Sequence, residues 1–350
     1  IIGEMNAYAR EVSYNLTWFT GNTTSKWYQL PNPISHYAPW PGRLGEPHWE
    51  REGQFIRTVI HMVDGEVDFS QYKRAIIVHA GSGGFPPYAF GVSWYFCCSP
   101  EDSDRTNDGV TVSELVVDAE LDPPSVVVHE WLHYLGGHDR YSSRVKDLYD
   151  WNLLTKGEYA PIYVGIWDLM SGQWGNEPQG LLSWTKLQLG WLPQSRISKL
   201  RPGEAVTLEV DPLELPSVGI QAISIPLTNG KYYLVEVRQK IGYDAMLPDF
   251  GVLVTLCDDR IHSGEGPVRV QDANPSTSTL DDATFDLDIG KQAGFFDRKN
   301  NVSIVVAGKS DLSYTVFAGP ASQGEVVLAQ SQKTLNVTSY GQLGDPANDL

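Results

Sequence analysis

The spacing of apolar residues in this chain changes character near residue 196. Before that point, segments such as 48–63 place apolar side chains three and four positions apart, which predicts helices with one buried face. After it, short segments of alternating polarity recur between turn residues, which is typical of β-strands. The sequence therefore predicts an α+β fold in two domains, residues 1–195 and a β-sandwich-like domain over residues 196–350, with the boundary near 193–198.

Individual segments make this expectation specific. In the first domain we predict helices at 3–13, 48–63 and 181–191, a further helix that begins at Val126 with Ser125 as its cap, and strands near 14–20, 24–30, 73–81, 91–97 and 110–118. In the second domain we predict strands at 204–210, 219–226, 231–238, 251–257, 302–307, 312–317 and 325–329.

Composition excludes some partners. The formal net charge of −17 argues against nucleic acid, whose phosphates require a basic surface. No apolar run approaches the roughly 18 residues that a membrane-spanning helix needs, so we expect no membrane span in this chain. Of the three cysteines, Cys97 and Cys98 are adjacent, so we expect at most one disulfide, to Cys257. Glycosylation-type sequons weakly favour an extracellular setting; they begin at Asn15, Asn22, Asn301 and Asn336.

The motif HEWLHYLGGHD at 129–139 carries the clearest chemistry. On a helix, His129 and His133 project from one face and can share a metal ion. Neutral imidazoles suit zinc, and Glu130 can reach a water in the open coordination position and accept its proton. The sequence thus predicts a hydrolytic zinc site. The competing interpretation is a surface helix with two solvated histidines.

The residues after the second histidine favour the metal site. Gly136 and Gly137 can end the helix and let the chain return towards the ion. In the extended form of this motif, a glycine comes three residues and the third ligand six residues after the second histidine. Asp139 has that spacing, and His138 is one residue short of it. Spacing favours Asp139 as the third ligand but leaves His138 open.

Several segments resemble one known family. The segments HEWLHYLGGHD, VGIWDLMSGQWG and LLSWTKLQLGW, in this order, resemble those of the immune-inhibitor-A-type secreted metallopeptidases, a branch of the metzincins. The segments AYAREVSYN and VDFSQYKRAIIVHAGSG upstream, and KYYLVEVRQKIGYDAMLPDFGVLV downstream, look like further parts of that family. The resemblance covers most of residues 5–320.

The resemblance implies a metzincin-like catalytic domain, with a mixed twisted sheet and an active-site helix. It implies an extracellular or cell-surface zinc endopeptidase that acts on proteins or peptides, with Asp139 as third zinc ligand. Met170 would lie in a methionine-containing turn beneath the metal. The family is made as a precursor with an inhibitory pro-segment, and we expect that segment to be absent from this chain. Structural calcium is a further implied ligand. The acidic run Asp281, Asp282, Asp286 and Asp288 could bind it, although a solvated loop is the favoured interpretation.

Two other functions compete with this interpretation. The chain could be an inactive adhesion or binding protein that retains the peptidase fold and acts through its aromatic-rich β-domain. It could also be another metal-dependent hydrolase, such as an amidase that cleaves cell-wall peptides, because zinc chemistry alone does not distinguish the two substrates. An intact motif favours the endopeptidase over the inactive protein.

Overall fold

The computed structural model describes residues 2–37, 49–81, 105–112, 115–137, 163–171, 177–262 and 265–341. The architecture is α+β, with helices and a small sheet in the first part of the chain and two larger sheets in the second. Within the described residues, no helix has the length and apolar character needed to cross a membrane.

The first part combines helices with a pair of parallel strands. The helices among its described residues are α1 (Ile2–Val12), α2 (Ile34–Tyr37), α3 (Trp49–Val63), α4 (Pro124–Tyr134) and α5 (Ser183–Gln188). Its strands are β1 (Ala75–His79) and β2 (Leu115–Ala119), which pair in parallel. Helix α3 packs on this pair through Phe55 and Ile60, which share a core with Ile77 and Val117. Helix α1 packs on α4 in a separate apolar cluster.

The second part consists of two sheets and a long helix. The strands are β3 (Ile197–Lys199), β4 (Val206–Val210), β5 (Ala222–Pro226), β6 (Tyr232–Arg238), β7 (Gly251–Cys257), β8 (Val268–Val270), β9 (Gly294–Asp297), β10 (Val302–Ser310) and β11 (Ser313–Gly319). One sheet has the order β3-β5-β6-β7-β8 and the other the order β4-β11-β10-β9. Helix α6 (Ala321–Gly341) packs on the second sheet.

The five-stranded sheet is buried on both faces. Because side chains alternate along a strand, Val235 and Val254 face the four-stranded sheet and share a core with its residues, such as Ile304. Leu234 and Leu253 point to the other face, where they meet Trp167, Leu182 and Trp184 from the first part of the chain. Burial of each such side chain stabilises the folded state by about 1.5–3 kcal/mol. The two parts are therefore joined by a continuous apolar interface.

Most predicted elements are confirmed, and three strands are wrong. The strands expected at 14–20 and 24–30 are absent, because aromatic side chains there make long-range contacts instead of pairing. The Tyr14 hydroxyl donates to the Leu213 carbonyl at 2.6 Å, and the ring of Phe19 packs on that of Trp131. The strand expected at 325–329 lies inside helix α6, since a short, mostly apolar segment is compatible with a strand and with a helix.

Some predicted features lie partly or wholly outside the described residues. The strand predicted at 91–97 lies outside the described residues, as do Cys97 and Cys98. Cys257 is buried, with its Sγ 3.6 Å from Oγ1 of Thr255. Because both candidate partners lie outside the described residues, a disulfide at Cys257 stays a prediction. The short strands β3, β8 and β9 were not predicted.

Candidate metal centre

Helix α4 carries the histidines and the glutamate of the motif. It begins at Pro124, whose fixed φ and missing N–H suit the first turn of a helix. The prediction that Ser125 caps this helix is wrong, because Pro123 takes the cap position and Ser125 lies inside the first turn. His129 and His133 follow on one face, one turn apart.

Two glycines end α4, as predicted, and turn the chain back towards His133. Gly136 has a φ of +96°, a conformation that glycine adopts without steric cost. The N–H of Gly137 donates to the Leu132 carbonyl at 2.8 Å, and that of Gly136 to the His133 carbonyl at 3.1 Å, which is the bond pair of a Schellman cap. This cap brings the Gly137 carbonyl to 3.0 Å from Nδ1 of His133.

A buried turn further along the chain holds His129. Residues Leu169–Ser171 form a 3₁₀ turn, and the Leu169 carbonyl lies 2.9 Å from Nδ1 of His129. Met170, in the middle of this turn, is fully buried and belongs to the same apolar cluster as Val128 of α4. Met170 therefore supplies apolar packing beside the backbone group that holds His129.

Both contacts select the same imidazole tautomer. A backbone carbonyl only accepts hydrogen bonds, so Nδ1 of His129 and of His133 is the donor in each contact. In the neutral ring the lone pair is then on Nε2, through which imidazole binds a metal. The hydrogen bond at Nδ1 also fixes the orientation of each ring. The backbone thus leaves the Nε2 atom of each ring as the one that could bind a metal.

The three side chains of the motif converge on one place. The rings of His129 and His133 have centroids 4.9 Å apart and planes at 87°. Oε2 of Glu130 lies 3.9 Å from Nε2 of His133, and one ligand atom from each residue lies within 4.8 Å of the others. The His129 side chain is buried, whereas that of His133 is 24% exposed, so solvent reaches the group on the side of His133.

Asp118 is close enough to Glu130 for the two carboxyl groups to interact. Asp118, near the end of β2, is buried, and burial together with Asp122 and Glu130 raises the pKa of its carboxyl to about 7. The negative charges of Asp122 and Glu130 oppose ionisation of Asp118, and the same charges favour a cation nearby. The electrostatics therefore suit a metal ion.

The two candidates for a third ligand are not part of the described structure. Asp139 and His138 both lie outside the described residues, so the choice between them stays a prediction. The described residues bring together His129, Glu130 and His133, and within them no other group of three metal-capable side chains converges in this way.

Asp168 is a functional candidate that the sequence did not reveal. It is fully buried, its Oδ1 accepts from the Met170 N–H at 2.8 Å, and its Oδ2 accepts from the Leu182 N–H at 2.9 Å. An aspartate two residues before the N–H it binds is a recognisable turn signal. The bond to Leu182 has no such local signal. Asp168 shapes the turn whose Leu169 carbonyl holds His129.

The acidic run considered for calcium is engaged with protein donors. Asp286 accepts from the Tyr314 hydroxyl at 2.5 Å and pairs with Lys309 at 3.1 Å. Asp282 accepts from Asn274 at 2.6 Å and from Thr277 at 2.9 Å. These contacts favour a structural role for the two carboxylates, and calcium binding stays an untested prediction.

Comparison of the chain with protein-family models and with curated proteins gives no match. The resemblance to the metallopeptidases therefore depends on the motifs quoted above.

Proposed function

We propose that this protein is a zinc-dependent endopeptidase whose ion is held by His129 and His133. The observation that carries the proposal is the pair of Nδ1–H bonds to the carbonyls of Leu169 and Gly137, which presents both Nε2 atoms beside the Glu130 carboxylate. A helix with two solvated histidines has no need of either bond. The motif spacing and the family resemblance support the same function.

The donor set fits zinc better than a hard cation. Two neutral imidazoles and one carboxylate are typical ligands of a catalytic zinc site, whereas calcium and magnesium prefer oxygen ligands. We assign the third position to Asp139, from its spacing after Gly136. The glycine cap supports this assignment because the helix ends at Tyr134 and the second cap glycine, Gly137, lies two residues before that position.

Glu130 is the proposed general base. A bound zinc ion would polarise a peptide carbonyl and lower the pKa of a coordinated water. The Glu130 carboxylate, 3.9 Å from Nε2 of His133, accepts a proton from the attacking water and delivers it to the leaving amine. Its burial excludes most competing solvent, and the exposed edge of His133 leaves a path for substrate.

The substrates we propose are proteins or peptides in an extracellular or cell-surface setting. This part of the proposal rests on the family resemblance, as does an inhibitory pro-segment in the precursor. Structural calcium belongs to the same set of expectations.

Three variants test the function. His129→Ala should lose both bound zinc, measured by elemental analysis, and hydrolysis of casein. Glu130→Gln should keep the zinc and lose hydrolysis by at least about a hundredfold, since general acid–base catalysis contributes that much. His262→Ala, at an exposed position, is the matched control and should behave like the native protein.

Removal of the metal provides a second test. A chelator should lower the melting temperature of the native protein and of Glu130→Gln, because a ligand that binds only the folded state stabilises it. It should leave His129→Ala unchanged. A native protein that binds no zinc would contradict the proposal. One that binds zinc and cleaves no protein, with Glu130→Gln retaining its function, would favour the adhesion protein, and cleavage restricted to cell-wall peptides would favour the amidase.

A further inference from the structure

Five ionisable side chains are buried where the first part of the chain meets the five-stranded sheet. We call them the junction cluster: Lys186, Glu214, Glu236, Arg238 and Asp244. Arg238, at the end of β6, is fully buried and pairs with Glu214 at 2.9 Å, with Glu236 at 3.3 Å and with Asp244. Buried charges of this kind have to be paired and hydrogen-bonded, so their positions are narrowly defined.

Two members of the junction cluster hold the backbone around the turn Leu169–Ser171. Nη1 of Arg238 donates to the Trp167 carbonyl at 2.8 Å. Oδ1 of Asp244 accepts from the N–H of Gly180 at 2.7 Å. The guanidinium and the carboxylate also bind each other. One ion pair therefore binds two backbone segments, at Trp167 and at Gly180.

These contacts continue to the metal-binding histidine. The carbonyl of Gly180 accepts from the N–H of Leu169 at 3.1 Å. The carbonyl of Leu169 in turn accepts from Nδ1 of His129 at 2.9 Å. An unbroken series of hydrogen bonds therefore runs from Arg238 through Asp244, Gly180 and Leu169 to His129.

We propose that the Arg238–Asp244 pair positions His129 through the backbone of Gly180 and Leu169. It makes the metal site dependent on the β-rich part of the chain. The consequence for metal affinity rests on the proposed function, whereas the consequence for the His129 tautomer does not. Arg238 and Asp244 are positioning residues, since neither lies among the groups that converge on the metal.

The variant Gly180→Ala perturbs this path without removing a charge. A Cβ at residue 180 would lie 2.8 Å from Oδ2 and 2.9 Å from Oδ1 of Asp244, so the carboxylate has to move away. Gly319→Ala is the matched control, because Gly319 lies in β11 of the other sheet, where its Cβ would lie 2.7 Å from that of Ala205. Both substitutions crowd a buried site, and only the first reaches the path to His129.

Nuclear magnetic resonance of the metal-free protein tests the inference independently of zinc. Labelled histidine should show His129 as the Nδ1–H tautomer, with a slowly exchanging proton, in the native protein and in Gly319→Ala. In Gly180→Ala we expect a mixture of tautomers or at least about tenfold faster exchange of that proton, since its acceptor is displaced. An unchanged His129 signal in Gly180→Ala overturns the inference.

Zinc affinity, measured by competition with a chelator, is the second readout. Gly180→Ala should bind zinc about 10–100-fold more weakly than the native protein, the range typical of lost contacts around a metal-binding histidine. Gly319→Ala should bind it as tightly as the native protein does. If Gly180→Ala fails to fold, Asp244→Asn, which keeps Oδ1 but loses the ion pair, should show the same two changes. If the native protein binds zinc and these variants bind it equally tightly, the inference is overturned and the proposed function stays intact. A native protein without zinc refutes the proposed function, and the tautomer measurement still decides the inference.

Discussion

Lys186 donates from a buried ammonium group to the hydroxyl of Tyr14, with the two atoms 3.0 Å apart. The same ammonium group donates to the Leu213 carbonyl at 2.9 Å, and the Tyr14 hydroxyl donates to that carbonyl at 2.6 Å. These bonds connect the turn after α1, helix α5 and the segment between β4 and β5. A cation removed from water therefore keeps two oxygen partners, which offset part of its desolvation cost.

Loss of the Tyr14 hydroxyl should destabilise the fold. We expect Tyr14→Phe to lower the free energy of unfolding by about 1–3 kcal/mol, because it leaves a buried donor with one acceptor fewer. Urea denaturation measures this change. Tyr28→Phe is the control, since the Tyr28 hydroxyl binds Glu66 at an exposed position, and it should cost less than about 0.5 kcal/mol. Equal losses in the two variants would contradict the role given to Tyr14.

The stability of the fold should fall between pH 4.5 and pH 8 in part because of Glu214. Burial, followed by the nearby Asp244, raises the pKa of Glu214 from 4.5 to about 8. The folded state therefore keeps a proton that the unfolded state has released, and the stability present below pH 4.5 is lost as the pH rises through 8.

Glu214→Gln isolates this contribution, because an amide stays neutral at every pH in that window. Chemical denaturation of the native protein at pH 5 and pH 8 should show a larger loss than the variant shows. An exposed glutamate, Glu325, provides the control variant Glu325→Gln, whose pH dependence should follow that of the native protein. A Glu214→Gln variant with the native pH dependence would show that this carboxyl is not protonated in the fold.

The glycine cap of α4 should affect metal binding as well as stability. Gly136→Ala forces an alanine into a φ of +96°, at a cost of about 1–2 kcal/mol, and shifts the Gly137 carbonyl that holds His133. We expect zinc affinity to fall about tenfold or more. Gly203→Ala has a similar φ of +79° and equally open surroundings, so it should lose stability and keep native zinc affinity. Parallel losses of affinity would mean that the cap does not act through His133.

The zinc affinities of two variants identify the third ligand. Asp139→Ala should reduce zinc affinity about a hundredfold or more, since it removes a metal–ligand bond. His138→Ala should reduce it less than about threefold. Isothermal titration of both variants distinguishes the two residues, and the opposite order would assign His138 to the ion.

Local patterns predicted much of the candidate site. The four-residue spacing of His129 and His133 places them on one helix face in any fold that keeps the helix. Gly136 ends that helix because only a residue without a Cβ takes its φ at no cost. The pattern of the chain predicted β6 and β7 for a similar reason, because successive side chains of a strand point to opposite faces of a sheet.

The tertiary structure decided what local patterns do not contain. The carbonyl that fixes the tautomer of His129 comes from Leu169, 40 positions along the chain, and the ion pair that supports that turn is further still. The aromatic segment after α1 has the composition of strands, yet Tyr14 binds Leu213 and Lys186 across the interface. The sequence by itself determined which side chains share one helix face and where that helix ends, because helix period and glycine conformation act over a few residues. Only the folded chain decided how those side chains are oriented, because hydrogen-bond partners distant in sequence leave no periodic trace.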